Sequence, residues 1–259
     1  MWKCTSCDFI YLNPRPDPTS LRSSYQSYLP EDERGIERWR HMMVPVFSRA
    51  ADLIEQNSPK GKIVDVGTGY GYFLLEMEAR GWEALGLEIS RTGVEFARKR
   101  LGVNILAKTL EESRLPDNHF DAITAFYLIE HLNDPMAFLR ECHRVLKPGG
   151  LILLRYPHTT PIKDFLGFLG IPNRLYDAPY HLNDFSPKTI EKFLGKAGFT
   201  QCQSFIGGYT LPAHFPSRAV SRVFGSISQG LSFLSGNRFL FPGVSKTATA
   251  RKWEAMNCP

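Results

Sequence analysis

Lys62-Ile63-Val64-Asp65-Val66-Gly67-Thr68-Gly69-Tyr70-Gly71-Tyr72 is the stretch that decides the fold. A β-branched run ends in an acid and three alternate glycines, and an apolar helical pattern follows at Phe73, Leu74 and Met77. That order reads as a buried strand turning tightly into a helix. Glycines serve such a turn because the chain must take backbone angles closed to other residues and let a ligand touch the main chain. The helix start beyond it offers N–H groups to an electron-rich ligand. Seventeen residues after Gly71, the apolar stretch Ala84-Leu85-Gly86-Leu87 ends in Glu88. A carboxylate at the end of a second strand can accept hydrogen bonds from both ribose hydroxyls of a nucleoside. The pair of features predicts a nucleoside-cofactor site.

Which nucleoside is a fork. The dinucleotide fingerprint G-x-G-x-x-G asks for a glycine where this chain has Tyr72, so the residue that brings helix and strand together behind a pyrophosphate is missing. Glycines alone also mark ordinary tight turns. Later landmarks decide. Phe120-Asp121-Ala122-Ile123-Thr124 reads as a fourth strand, followed by Ile129-Glu130-His131-Leu132-Asn133-Asp134-Pro135. A helix then ends in Arg144-Val145-Leu146-Lys147-Pro148-Gly149-Gly150 and leads into the apolar strand Leu151–Leu154.

In this order these residues resemble the class I S-adenosylmethionine-dependent methyltransferases, in particular the small-molecule branch, strongly from about Gly61 to Tyr156 and more weakly on both sides. The resemblance implies a Rossmann-like three-layer α/β sandwich. Its sheet would have seven mostly parallel strands with an antiparallel last strand, the latter at Ser245 to Lys252, plus helical lid insertions. It implies S-adenosyl-L-methionine as cofactor. Asp65 and the backbone at Gly67, Thr68, Gly69 and Tyr70 would hold its methionine end, Glu88 the ribose, Ile89 the adenine face, and Leu110 and Glu111 the adenine edge. Phe126 would sit beside the sulfonium, which aromatic faces favour. The cofactor carries no phosphate, and no basic cradle stands near Gly67–Gly71.

The chain of 259 residues is long enough for one large domain, and a 43% hydrophobic content supplies its core. Thirty-one basic against 26 acidic residues leave a net charge of +5. No basic stripe marks a nucleic-acid partner. Arg98-Lys99-Arg100 suits the C-terminus of the second helix after the glycines, where cations complement the dipole. No signal peptide is evident and no apolar run reaches the roughly 18 residues of a membrane span. Five scattered cysteines fit a reducing cytoplasm better than a disulfide framework. Cys142 and Cys202 read as buried, inert thiols.

Residues 1–30 read as an extension in which Cys4-x-x-Cys7, before Phe9-Ile10-Tyr11-Leu12-Asn13-Pro14, looks like half of a zinc module. Structural zinc needs four ligands, so bound zinc is not expected here. Residues 31–259 would form the methyltransferase domain, starting with a long amphipathic helix over 33–57. Lids are expected at about 157–185 and 212–242, the second carrying an apolar stripe of Val220, Val223, Phe224, Ile227, Leu231 and Leu234. Apolar lids over the strand ends imply an acceptor with a hydrophobic part, and leave peripheral membrane contact open.

Methyl transfer is an in-line displacement dominated by positioning, and an oxygen or carbon acceptor also needs a base. His158 and His181 are the expected bases, with Tyr127, Glu130, His131, Tyr156 and Tyr180 shaping the acceptor pocket. Related ubiquinone-pathway and small-RNA enzymes hold a divalent metal with a Glu-x-x-Glu-His cluster. Glu130 and His131 match its end, but Tyr127 replaces the first glutamate, so no metal is expected. The reading is O-methylation of a small molecule. Carbon methylation of a nucleotide-linked sugar and a cofactor-binding scaffold without turnover are the alternatives.

Overall fold

Strand burial on both faces is what a central parallel strand requires, and Ile63, Val64, Asp65 and Val66 are all buried. The computed structural model describes residues 1–172, 176, 180–207, 226–232, 234–236, 240 and 245–253. In chain order, β1 (Trp2–Lys3), β2 (Ile10–Tyr11), α1 (Pro18–Gln26) and α2 (Glu33–Asn57) lead into β3 (Lys62–Val66). There follow α3 (Tyr72–Ala79), β4 (Glu83–Leu87), α4 (Arg91–Phe96), β5 (Ile105–Leu106), α5 (Leu110–Ser113) and β6 (Phe120–Phe126). Next come α6 (Pro135–Val145), β7 (Leu146–Tyr156), α7 (Thr160–Phe168) and β8 (Asn183–Asp184), then α8 (Pro187–Lys196), β9 (Phe199–Phe205) and β10 (Lys246–Lys252).

The main sheet has seven strands in the order β5-β4-β3-β6-β7-β10-β9. β3 pairs in parallel with β4 and β6, and β6 with β7, while β10 runs antiparallel to both of its neighbours. This is the expected Rossmann-like α/β sandwich. One layer packs α2 and α3 through Met43, Val46, Phe47, Ile54, Phe73 and Met77. The other packs α6 and α8 through Phe138, Leu139, Ile190 and Leu194. The chain moves outward from β3 to β4 and then returns across it to β6. That reversal opens a crevice at the carboxyl ends of β3 and β6, where such sheets bind ligands.

Local chemistry sets the helix starts. Asp134 accepts from Ala137 N–H at 2.9 Å with Pro135 as the first helical residue of α6, and Ser186 with Pro187 repeats the arrangement on α8. Helix α2 spans the expected 33–57. α4 winds into a π turn over Ala97–Leu101 that carries Arg98, Lys99 and Arg100 at its C-terminal end.

Residues 1–30 do not stand apart. β1, β2 and β8 form a second, three-stranded sheet. Phe9 packs on Phe185 (5.0 Å) and Phe193 (4.8 Å), and Arg15 donates to Asn183 Oδ1 (3.0 Å) and to the Asn133 carbonyl. Cys4 and Cys7 sit half-buried on this hairpin. Cys4 Sγ lies 3.1 Å from Ser6 Oγ, and hydrogen bonds, first from Ser6, bring its pKa down to about 7. Among the described residues they join no three-donor cluster. Cys142 is buried as expected, but Cys202, on the outermost strand, is only half-buried. The first lid contains α7 and β8. Of the second, only 226–232, 234–236 and 240 belong to the described residues, so Val220, Val223 and Phe224 lie outside them. Among the described residues no helix is long and apolar enough to cross a membrane.

Two glycines separate close packing from propensity. A Cβ on Gly93 of α4 would lie 2.6 Å from the Gly69 carbonyl oxygen, whereas a Cβ on Gly195 of α8 meets nothing within 4 Å. Gly93→Ala should therefore lose about 1–3 kcal/mol of stability. Gly195→Ala should gain up to about 1 kcal/mol, both read from denaturant midpoints.

Candidate active site

The crevice begins at the glycine turn. Gly67, Gly69 and Gly71 have φ of 71°, 59° and 82°, the left-handed region that glycine enters without strain. At Gly71 space adds a second reason, since a Cβ would come within 2.9 Å of Val103 Cγ2. The turn is tied to the end of β4: Gly67 and Thr68 N–H donate to the Leu87 carbonyl at 2.8 and 3.1 Å. Glu88 completes the tie. Its Oε2 accepts from Gly69 N–H at 2.8 Å, and its Oε1 accepts from Ile89 and Ser90 N–H at 2.7 Å each. Oε1 is thereby filled and Oε2 retains a lone pair. Burial raises the Glu88 pKa against the pull of these N–H groups. Asp65, fully buried at the end of β3, accepts from the Thr124 hydroxyl at 2.6 Å. Burial pushes its pKa up to about 7, with Thr124 opposing.

The flanks of this end come from the amino-terminal segment. Tyr70 is buried and its phenol donates to the Pro30 carbonyl at 2.6 Å, with its ring against Trp39 (5.1 Å) and Phe96 (5.3 Å). Arg22 of α1 forms a double ion pair with Glu112 (2.5 and 3.1 Å). The Ser90 hydroxyl lies 3.5 Å from the Gln26 carbonyl that it faces. Ile89 lines a surface groove of about 1240 Å³ together with Gln26, Glu31, Tyr72 and Phe96. The Leu110 side chain is buried in the core below, and Glu111 is exposed.

Beyond β6 lies a second constellation. Phe126 packs edge-on against Phe47 (5.0 Å) and Phe73 (4.8 Å). Tyr127 follows at φ 53°, its oxygen accepting from Arg155 Nε at 3.2 Å. A 3₁₀ turn, Ile129–His131, then points Glu130 inward, 1% exposed. Neither Glu130 carboxyl oxygen has a hydrogen-bond partner among the described residues. Burial first, then Asp184, pushes its pKa up to about 8. His131 Nδ1 lies 3.0 Å from the Tyr180 carbonyl, which also accepts from the Tyr25 hydroxyl at 2.8 Å. A carbonyl can only accept, so Nδ1 carries the proton and Nε2 keeps its lone pair. Burial, then His181, brings the His131 pKa down to about 4. The His181 ring stands 4.9 Å from that of His131. One donor atom from each of Glu130, His131 and His181 falls within 4.8 Å of the others.

Of the expected bases and pocket residues, His181, Glu130, His131 and Tyr180 therefore converge, Tyr180 through its main chain. His158 does not join them. It lies past the end of β7 with Nδ1 buried and unpartnered among the described residues, and burial, then Lys246, lowers its pKa to about 4. Tyr156 belongs to the core: it packs in the α6–α8 layer near Phe185 (6.4 Å), its hydroxyl 3.5 Å from Ser204 Oγ. It is not a pocket residue, because side chains alternate along β7 and the even positions face away from α2. Sequence reasoning missed Tyr25 and Tyr28, whose rings stand 5.4 and 5.9 Å from His131. It also missed Asn183, whose Nδ2 holds the Leu132 carbonyl at 2.7 Å, and Asp184, which accepts from Thr159 and Thr160 N–H at 2.9 and 3.2 Å. Their only local signal is the one-turn spacing of Tyr25 and Tyr28.

The glycine turn, the Glu88 carboxylate after β4 and the switch-point crevice are arranged as in nucleoside-binding α/β proteins. A family model described as a methyltransferase domain matches residues 37–204. A ubiquinone biosynthesis O-methyltransferase of Alkalilimnicola ehrlichii is 28% identical over 146 residues, 52% of this chain and 59% of that protein. A probable S-adenosylmethionine-dependent methyltransferase of Mycolicibacterium smegmatis is 33% identical over 135 residues, 51% of this chain and 49% of its own. This chain thus spans only about half to three fifths of those two relatives. It covers 85% of a ubiquinone biosynthesis O-methyltransferase of Xanthomonas campestris, at 27% identity over 72% of its own length. A SAM-dependent methyltransferase from Archaeoglobus fulgidus superposes with a TM-score of 0.58 at 20% identity, covering 85% of this chain and all of that one. Phosphoethanolamine N-methyltransferase 2 of Haemonchus contortus, solved with S-adenosyl-L-methionine, gives 0.60 at 16%, covering 90% and 60%. The chain belongs to the class I S-adenosylmethionine-dependent methyltransferases, and S-adenosyl-L-methionine is its cofactor.

Asp65 and Glu130 titrate well above the ordinary carboxylate values of 3.8 and 4.5. Folding favours their protonated forms, so this contribution to stability is full below those values and is lost as pH rises through about 7 and 8. Thermal unfolding followed across this window should show the midpoint falling with pH, and Asp65→Asn should flatten the lower part of the fall.

Proposed function

We propose that the chain transfers the cofactor's methyl group to an oxygen of a small-molecule acceptor with a hydrophobic part, with His181 taking the acceptor's proton. The observation that carries this reading is the convergence of Glu130, His131 and His181 just past Phe126, at the end of the strand beside the cofactor turn. The names of the A. ehrlichii and X. campestris relatives support oxygen as the acceptor atom. Asp65 and the backbone at Gly67, Thr68, Gly69 and Tyr70 hold the methionine end, where a buried carboxylate suits an ammonium group. Glu88 holds the ribose through its remaining Oε2 lone pair, and Ile89 flanks the adenine. Phe126 presents an aromatic face to the sulfonium.

S-adenosyl-L-methionine held there would supply an electrophilic methyl group to the acceptor oxygen, its sulfur leaving with the bonding electrons, and His181 would take the hydroxyl proton. S-adenosylhomocysteine and the methyl ether are the products. His131, neutral and fixed by the Tyr180 carbonyl, positions the acceptor, and Tyr25 holds that carbonyl from the other side.

A second reading has its own observation. Glu130, His131 and His181 are a carboxylate and two imidazoles, the donor types that hold a divalent transition ion. His131 offers Nε2 unprotonated, and Glu130 has no other partner among the described residues. Tyr127 replaces the relatives' first glutamate and its phenol is engaged by Arg155, so protein would supply three donors. A cation held there would act as Lewis acid on the acceptor hydroxyl.

Turnover to S-adenosylhomocysteine with a panel of phenolic acceptors tests both. Under the base reading His181→Ala lowers kcat by about 10²–10⁴-fold with cofactor affinity intact, and a chelator changes nothing. Loss of turnover to the chelator, restored by a divalent cation, would replace the base with the metal. Glu88→Ala should weaken S-adenosylhomocysteine binding by about 1.5–3 kcal/mol in a calorimetric titration; unchanged affinity would remove Glu88 from the ribose.

A further inference from the structure

Cys4 and Cys7 share one tight turn, and neither the cofactor end nor the acceptor side uses them. Thr5 and Ser6 between them are exposed. The turn is closed twice, by Asp8 N–H on the Cys4 carbonyl at 3.0 Å and by Cys4 N–H on the Phe9 carbonyl at 2.8 Å. The first and last Cα atoms of a four-residue turn stand within about 7 Å of each other, and a disulfide spans about 4.4–6.8 Å. The Cys7 thiol is itself among the groups that hydrogen-bond to the Cys4 sulfur.

The turn is also rooted. β1 pairs with β2, β2 pairs with β8, and Leu12 N–H donates to the Leu182 carbonyl at 2.8 Å. The two thiols are therefore presented together from a fixed base, half-buried and within reach of a small reagent.

They differ from the other described cysteines in character. Ser6 Oγ lies 3.1 Å from Cys4 Sγ, and hydrogen bonds from Ser6 and then Cys7 bring the Cys4 pKa down to about 7. Burial does the opposite at Cys142 and Cys202, raising both thiols. The thiolate is the nucleophile of sulfur chemistry, so Cys4 is the reactive member. A second thiol in the same turn can resolve the mixed disulfide that the first one forms. A metal ion suits the pair less well. Structural zinc takes four ligands, and among the described residues no third donor joins these two cysteines.

We propose that Cys4 and Cys7 form a thiol–disulfide exchange site for small disulfides of the glutathione class. The Cys4 thiolate attacks one sulfur of glutathione disulfide, that S–S bond breaks, and one glutathione leaves as its thiolate. Cys7 then attacks the Cys4 sulfur as a thiolate and displaces the second glutathione. Two cysteine thiols are oxidised to one disulfide, one glutathione disulfide is reduced to two thiols, and the two cysteine protons end on the departing thiolates. Excess glutathione runs the exchange backwards. The site stands apart from methyl transfer and does not rest on the acceptor assignment.

Incubation of the full chain with glutathione disulfide, read by intact and peptide mass spectrometry, tests the proposal. The protein should lose two hydrogens, with Cys4 linked to Cys7, and reduced glutathione should restore them. Cys7→Ser should stop at one glutathione on Cys4, and Cys4→Ser should react more slowly by about tenfold or more. Iodoacetamide should likewise modify Cys4 faster than Cys202 by about tenfold or more. Thermal unfolding of both variants should match that of the parent chain, which separates lost exchange from lost fold. No internal disulfide, an adduct held on Cys202 instead, or a Cys7→Ser chain that takes up no glutathione would overturn the proposal. So would stoichiometric zinc binding that both variants lose, since the thiols would then be ligands.

Discussion

A buried carboxylate that gathers backbone amides holds this structure's working end together. Glu88 directly follows β4, and its two oxygens take the N–H groups of Gly69, Ile89 and Ser90. Burying such a group costs free energy, and hydrogen bonds to it, each stronger than a neutral one, offset that cost. The effect is to lock the glycine turn onto the neighbouring strand. Asp65 does the corresponding work toward β6 through Thr124. Three adjacent strand ends are thereby fixed relative to one another, and the crevice between them keeps its shape.

The side proposed to hold the acceptor is assembled differently. Tyr25 comes from α1, Glu130 and His131 from the turn after β6, and Tyr180 and His181 from the segment before β8. Their convergence rests on main-chain bonds: Leu182 N–H donates to the Glu130 carbonyl, and Leu12 N–H to the Leu182 carbonyl, each at 2.8 Å. The small sheet of β1, β2 and β8 is the frame on which the first thirty residues and the first lid meet. A carboxyl without a hydrogen-bond partner among the described residues and a neutral imidazole at that meeting point are held by the frame around them, a common signature of chemistry rather than of stability.

What was legible in the sequence follows from how local each signal is. The strand, glycine turn and helix, the acid ending β4, and the caps at Asp134 and Ser186 are all written in neighbouring residues. So is α2, whose periodicity spans 33–57 without tertiary help. Tyr156 was misplaced because reading it required deciding which face of β7 it occupies; the alternation with Leu154 and Ile152 contains that answer. Tyr25 and the partnership of His181 with Glu130 depend on pairing between segments some fifty and a hundred residues apart, and no local pattern encodes that. The lids illustrate a different limit. An apolar stripe has the same periodicity whether it faces a core or the outside, so Ile227, Leu231 and Leu234 could be read as a stripe but not as an outward one.

Helix α1 has a consequence for the order of events in a catalytic cycle. It is fastened at one flank by Arg22 to Glu112 and at the other by Tyr25 to the Tyr180 carbonyl, with Gln26 facing Ser90 between them. A nine-residue helix moves as one piece. Lifting it at one flank would loosen its hold at the other, so on the proposed reading nucleoside exchange and acceptor exchange would share a single opening step. Under that coupling, binding either ligand first would slow the departure of the second, and the two products would leave in one event rather than in sequence.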